Sequence, residues 1–138
     1  MSKTIMIKMK SIQTMEEEKN EMELITEGSL EISDGMIRIS YVDSEATGFE
    51  GSDTTIQIDS SNTATINRTG KSNSNLVLEM NKKHYCHYGT PYGDMMVGVF
   101  THSIKNNINN NGGSLYMKYT LDINSSYVSD NEIFLDIE

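Results

Sequence analysis

The residues of this chain best suited to chemistry crowd into one stretch, HYCHYGTPYGDMMVG, at positions 84 to 98. It holds two of the three histidines, the one cysteine, the one proline and three of the seven tyrosines. Such a set could ligate a metal, activate a thiol, or offer hydroxyls and imidazoles to a bound molecule. In an extended strand, side chains alternate between faces, so His84, Cys86, Tyr88 and Thr90 share one side while Tyr85 and His87 share the other. His84 and His87 therefore cannot hold one ion together. His84, Cys86 and His102 would make a three-ligand set, but no x-x-Cys or x-x-His spacing signals it, and no metal is expected. Nucleophilic catalysis by Cys86 needs a lowered thiol pKa and a nearby base, whereas an inward cysteine among Tyr and Thr more often behaves as a small buried hydrophobe. An enzyme working through His84, Cys86 or His102 is thus the weakest reading. The expectation is a protein that is not an enzyme, with no catalytic residue and no cofactor.

Period two runs through the elements that must carry these groups. In TIMIKMK, Ile5, Ile7 and Met9 alternate with Lys8 and Lys10. The acidic loop MEEEKN follows, and a single helical turn fits residues 15 to 23. In EMELITEGSLEI, Met22, Leu24, Leu30 and Ile32 alternate with Glu21, Glu23, Glu27 and Glu31, separating an inside from an outside. Asp34-Gly35 suits a tight hairpin turn, because Gly tolerates the positive φ that a primed turn needs. The chain returns through Met36 to Val42. A glycine-spaced loop, DSEATGFEGSD, leads to the short strands TTIQID and TATINRT. Another strand begins at Leu76, Leu78 and Met80, with an Asn81-Lys82 turn before the opening stretch. Thr90-Pro91-Tyr92-Gly93 reads as a tight turn, residues 95 to 104 as a strand, NNINNNGG as a loop, and SLYMKYTLDI and NEIFLDIE as the last two strands.

About eight to ten strands in continuous order, without disulfides, predict an all-β fold. The expected architecture is an antiparallel up-and-down closed β-barrel, calycin-like or lipocalin-like, since closure removes exposed strand edges. A two-sheet sandwich is the alternative. The 138 residues suit a single domain spanning 1–138. A formal net charge of −9 repels phosphate backbones and anionic lipid, so neither nucleic acid nor membrane is an expected partner. The alternating start MSKTIMIKMK carries no signal-peptide pattern and the lone Cys86 suits a reducing compartment, which together predict a cytoplasmic location.

Polar residues on inward faces are the candidates for function. Arg68 shares parity with Ala64 and Ile66, so a cation points where apolar residues point, and it must meet an opposite charge. One partner would be a carboxylate of the chain, Glu45 or Glu79. The other would be an anionic ligand head gripped by two parallel hydrogen bonds and assisted by Tyr119, Tyr88 or His84. Tyr41 lies among Ile37 and Ile39, Tyr119 among Leu115, Met117, Leu121 and Ile123, and His102 with Met96, Gly98, Phe100 and Ile104. The candidate ligand-binding set is Arg68, Tyr41, His84, Tyr88, Thr90, His102 and Tyr119, with apolar walls from Ile7, Leu24, Ile39, Ile66, Phe100 and Met117. One bulge before residue 84 would exchange the inward and outward sets there.

The succession ISYVDSEATGFEGSDTTIQI, INRTG, HYGTPYG, GVFTHSI and GGSLYMKYTLDIN, ending in a final strand, resembles the YwiB-like family of bacterial calycin-like barrel proteins, a domain of unknown function. The likeness runs from about residue 3 to the end, and the Gly-Thr-Pro-Tyr-Gly turn and Gly-Gly-x-Leu-x-x-x-Tyr strand carry it most sharply. It implies a closed or nearly closed antiparallel barrel and brings no catalytic residue. Where the family has Tyr-x-Glu, this chain reads Tyr41-Val42-Asp43 with Glu45 nearby, which leaves the acidic partner of Arg68 open. The resulting expectation is a binding barrel for a small amphipathic or anionic ligand. The alternative is a filled structural barrel acting as a protein-interaction module through its outer face or its 43 to 53 loop.

Overall fold

Closure of the sheet on itself governs every strand. The computed structural model describes residues 2–43, 50–71, 73–90 and 93–138. Ten strands occur among them: β1 (Ser2–Met15), β2 (Glu18–Ser33), β3 (Met36–Val42), β4 (Ser52–Ile58), β5 (Ala64–Gly70), β6 (Ser74–Leu78), β7 (Lys83–Thr90), β8 (Gly93–Asn109), β9 (Gly112–Ile123) and β10 (Ser126–Ile137). Each pairs antiparallel with its neighbour in sequence, and β1 pairs with β10 from Ile7↔Ile137 to Thr14↔Asp130, giving a closed barrel. Reciprocal backbone bonds between Met6 and Glu138, at 2.9 and 3.0 Å, extend that closure to the last residue. Among the described residues, no helix is long and apolar enough to cross a membrane.

The turns follow local chemistry. Asp34 and Gly35 adopt φ of 52° and 78°, the double positive φ that a two-residue hairpin requires. Asn124 and Ser125 do the same between β9 and β10. The acidic segment forms no helical turn. Met15 pairs with Glu18, so the loop shrinks to Glu16-Glu17 and the glutamates beyond it lie in strand β2. NNINNNGG is also mostly strand: β8 continues to Asn109, which pairs with Gly112, and Ile108 is buried. One inward isoleucine held by a long partner strand outweighs the turn preference of its asparagines. Thr90 pairs with Gly93 across the predicted tight turn; Pro91 and Tyr92 lie outside the described residues.

Inward residues stack in register-matched layers. Ile37, Ile58, Ala64 and Leu78 form one row across β3 to β6, and Ile39, Ile56, Ile66 and Leu76 form the next. On the far wall Met9 faces Leu135, which faces Leu115, while Met117 faces Ile104. Nearly all of these are buried to below one-tenth exposure. Each fully buried Ile or Leu contributes about 1.5–3 kcal/mol relative to exposure, so these layers supply the cohesion of the barrel.

Two departures from regular pairing matter. A register shift between Thr101 and Ser103 inserts one extra residue in β8. Val97, Val99 and Thr101 therefore point in before it, and Ile104 and Ile108 after it. The second departure is the seam between β6 and β7, paired among the described residues only at Ser74↔Tyr88 and Asn75↔His87.

Gly28 is a close-approach position within β2. A Cβ there would stand 2.5 Å from the Ser40 carbonyl oxygen and 2.6 Å from Ile7 Cδ1. Ile7 thus packs over a residue with no side chain, which lets β1 and β3 converge on β2. We expect Gly28→Ala to destabilise the fold by about 1–3 kcal/mol through overpacking, seen as a lower urea midpoint; an unchanged midpoint would show that the wall relaxes freely.

Candidate functional site

The polar inward residues also fall in register. Tyr41 pairs with Thr54, Thr54 with Arg68, Arg68 with Ser74, and Ser74 with Tyr88, so five successive strands, β3 to β7, each place one polar residue at matched height. Across the other five strands runs Asn20, Gln13, Asn131, Tyr119 and Thr101. Seven members of these two rows, Tyr41, Arg68, Tyr88, Asn20, Gln13, Asn131 and Tyr119, line a cavity of about 340 Å³ at one end of the barrel. Its apolar lining includes Met9, Ile56, Ile66, Leu76, Leu121 and Ile133. The barrel is filled through its apolar layers and hollow above them. A volume of this size sits at the lower end of the range for small-molecule sites.

Arg68 is answered from within the chain. Its Nε lies 3.4 Å from Asp43 Oδ2 and donates to Thr54 Oγ1 at 3.1 Å, while the Thr54 hydroxyl donates to the same Asp43 oxygen. The side chain of Asp43 is fully buried and that of Arg68 is 14 % exposed. The expected partners are thereby corrected. Glu79 instead binds Lys82 at 3.0 Å and His84 at 2.9 Å, and Glu45 lies outside the described residues. Asp43 continues the Ile37, Ile39, Tyr41 parity, a signal hidden by assigning it to the following loop.

The tyrosines crowd the same space. Tyr41 donates to Met9 Sδ at 3.7 Å. Burial raises its hydroxyl pKa, the nearby Asp43 carboxylate adds to this, and Arg68 and Thr54 oppose it. Burial likewise pushes Tyr119 well above its ordinary value, reinforced by Tyr88 and Tyr41 and opposed by Arg68.

The remaining candidates lie elsewhere. His84 is half-buried against Glu79 and does not line the cavity. His87 is on the outer face, 3.7 Å from Asp94. His102 is the residue displaced by the β8 bulge: it is exposed, bonded to Thr120 Oγ1 at 2.7 Å, with its ring against Phe100 at 5.1 Å. The expectation of His102 and Phe100 on the inner wall is thus corrected, because the inward set before the bulge is Val97, Val99 and Thr101. The backbone of Thr90 pairs with Gly93, and its side chain lies outside the described set. Cys86 is buried and its sulfur accepts the Val77 amide at 3.3 Å, filling a gap in the sparsely paired β6–β7 seam. Burial raises its thiol pKa, so it stays protonated. Among the described residues, no three of His, Cys, Asp and Glu gather as a metal centre.

Comparison with known proteins adds identity to this geometry. The family model "Domain of unknown function (DUF1934)" matches residues 7–135. The chain belongs to the DUF1934 family. The DUF1934 barrel is also similar to a solved structure, described as the crystal structure of ywiB protein from Bacillus subtilis, with a TM-score of 0.76 and 14 % identity over 98 % of this chain and 92 % of that one. At that identity the likeness establishes the fold alone. No curated protein matches the chain.

Two predictions follow from the buried cluster. Arg68→Met should cost about 3–5 kcal/mol, because it strands the Asp43 carboxylate, and adding Asp43→Asn should recover part of that loss in a urea-unfolding cycle; additive costs would show the two groups to be uncoupled. The folded-state pKa values of Tyr41 and Tyr119 lie above the unfolded value of 10.0. The stability they contribute is therefore complete below pH about 10 and is lost as pH rises through the folded values. Tyrosinate absorbance should develop late, together with unfolding, and Tyr119→Phe should remove part of that late component; an unaltered titration curve would refute the assignment.

Proposed function

We propose that this DUF1934 domain is a binding protein, not an enzyme, which holds a small amphipathic molecule in the open end of its barrel. The observation that carries this is the register-matched polar row, Tyr41, Arg68 and Tyr88 on one wall with Tyr119 and Asn131 opposite, set above an apolar floor of Ile56, Ile66 and Leu76 around about 340 Å³. Burying polar groups within a barrel costs free energy unless they find partners. A fold needing only stability would continue the Ile and Leu layers upward.

The layout suits orientation as well as burial. The apolar floor takes the hydrocarbon part of a guest by removing it from water, while hydroxyl and amide groups at matched height fix the direction of its polar end. Cys86 takes no part, because its sulfur is committed to the Val77 amide.

Native mass spectrometry of gently purified protein, followed by denaturing extraction, tests this reading. A released small molecule is expected, and it should be lost in Leu121→Trp, which fills the cavity from its half-buried side, yet retained in Ile25→Ser on the exposed outer face. An adduct that survives Leu121→Trp would place the guest elsewhere and overturn the proposal.

A further inference from the structure

Charge balance in the cavity narrows the class of guest. Among the described residues, two charged ones line it, Arg68 and Glu21. Glu21 is half-exposed at the rim and lies 3.8 Å from Lys10, which is outside the cavity. Arg68 is engaged by the fully buried Asp43 and by Thr54. Among the described residues Asp43 Oδ1 has no hydrogen-bond partner, and the Arg68 guanidinium is the positive charge beside this carboxylate. An anion drawn to Arg68 would have to share it with Asp43, and would bring a second negative charge to a buried site in a chain of net charge −9. A cation would meet the guanidinium, and the one carboxylate in the lining among the described residues, Glu21, is paired with Lys10.

The other polar groups of the lining are neutral and two-sided. Tyrosine hydroxyls both donate and accept, and the amides of Asn131, Gln13 and Asn20 carry a donor and an acceptor each. Building on the binding role proposed above, we infer that the guest is an uncharged amphiphile whose head group both donates and accepts hydrogen bonds, of the amide or alcohol type, and that Asp43 is the residue that excludes anionic analogues by holding Arg68 neutralised. Arg68 thus acts as an anchored dipole with Asp43 and Thr54, rather than as an anion clamp. This reverses the role that inward parity alone suggests for it.

The test is a matched pair of fluorescent probes, 2-naphthamide and 2-naphthoate, which share ring and shape and differ in charge at neutral pH. Titrated into the full chain, the amide should bind at least about tenfold more tightly than the carboxylate, since placing like charges together in a buried site is costly. In Asp43→Asn, which keeps the shape but leaves Arg68 with one fewer negative neighbour, the preference should shrink or reverse through a gain by 2-naphthoate. If that variant fails to fold, the wild-type ratio decides alone. Equal binding, or a preference for 2-naphthoate in the wild-type chain, overturns the inference on charge and leaves the binding role standing. Failure of both probes to bind, with no released molecule in the extraction described above, overturns both.

Discussion

Closure of β1 against β10 is the constraint on which the rest depends. Once these strands pair from Ile7↔Ile137 to Thr14↔Asp130, the register of the final hairpin is locked to that of the first. Two-residue connections such as Asp34-Gly35 and Asn124-Ser125 pass the register on without slippage, and across the longer connections between β3 and β7 the strand ladders themselves set it. The height of every inward side chain becomes a consequence of ring geometry. Five polar residues from β3 to β7 fall in one row for this reason, although up to thirteen positions separate neighbouring members in sequence.

The two energetic classes in the interior do different work. Apolar layers supply the cohesion, with residues such as Ile39, Ile58, Leu78 and Leu135 almost wholly removed from water. The Asp43–Thr54–Arg68 cluster adds little net stability, since burying an ion pair costs about as much as the pair returns. Its contribution is to make one end of the barrel polar and fixed in shape. Filling that end with more Ile and Leu would give a solid cylinder with the same strand order.

Much of this was legible in the residues. Period-two alternation located the strands, Asp34-Gly35 located a turn, and parity placed Tyr41, Arg68, Tyr88 and Tyr119 on the inner wall, where they meet. What escaped depends on partners distant in sequence. The bulge that turns His102 and Phe100 outward exists only relative to β9, so the local pattern at 96 to 104 reads as regular strand. Ile108 draws an asparagine-rich segment into β8 because β9 is long enough to pair with it. Asp43 was within reach, since it continues the Ile37, Ile39, Tyr41 parity, but polar neighbours made its segment look like loop throughout.

The β6–β7 seam has a consequence for motion. Elsewhere around the ring, neighbouring strands are held by at least five paired positions, whereas among the described residues β6 and β7 share two, supplemented by the Gly89 amide on the Asn73 carbonyl at 2.7 Å and the Cys86 sulfur on the Val77 amide. With two paired positions and a weak sulfur acceptor, the seam is the thinnest ladder among the described strands and the cheapest to part locally. Ser74, one of its two paired residues on β6, faces Tyr88 across it, and Tyr88 stands in the cavity wall. The barrel therefore behaves less like a rigid can than like a cuff with one soft closure, and that closure borders its hollow end.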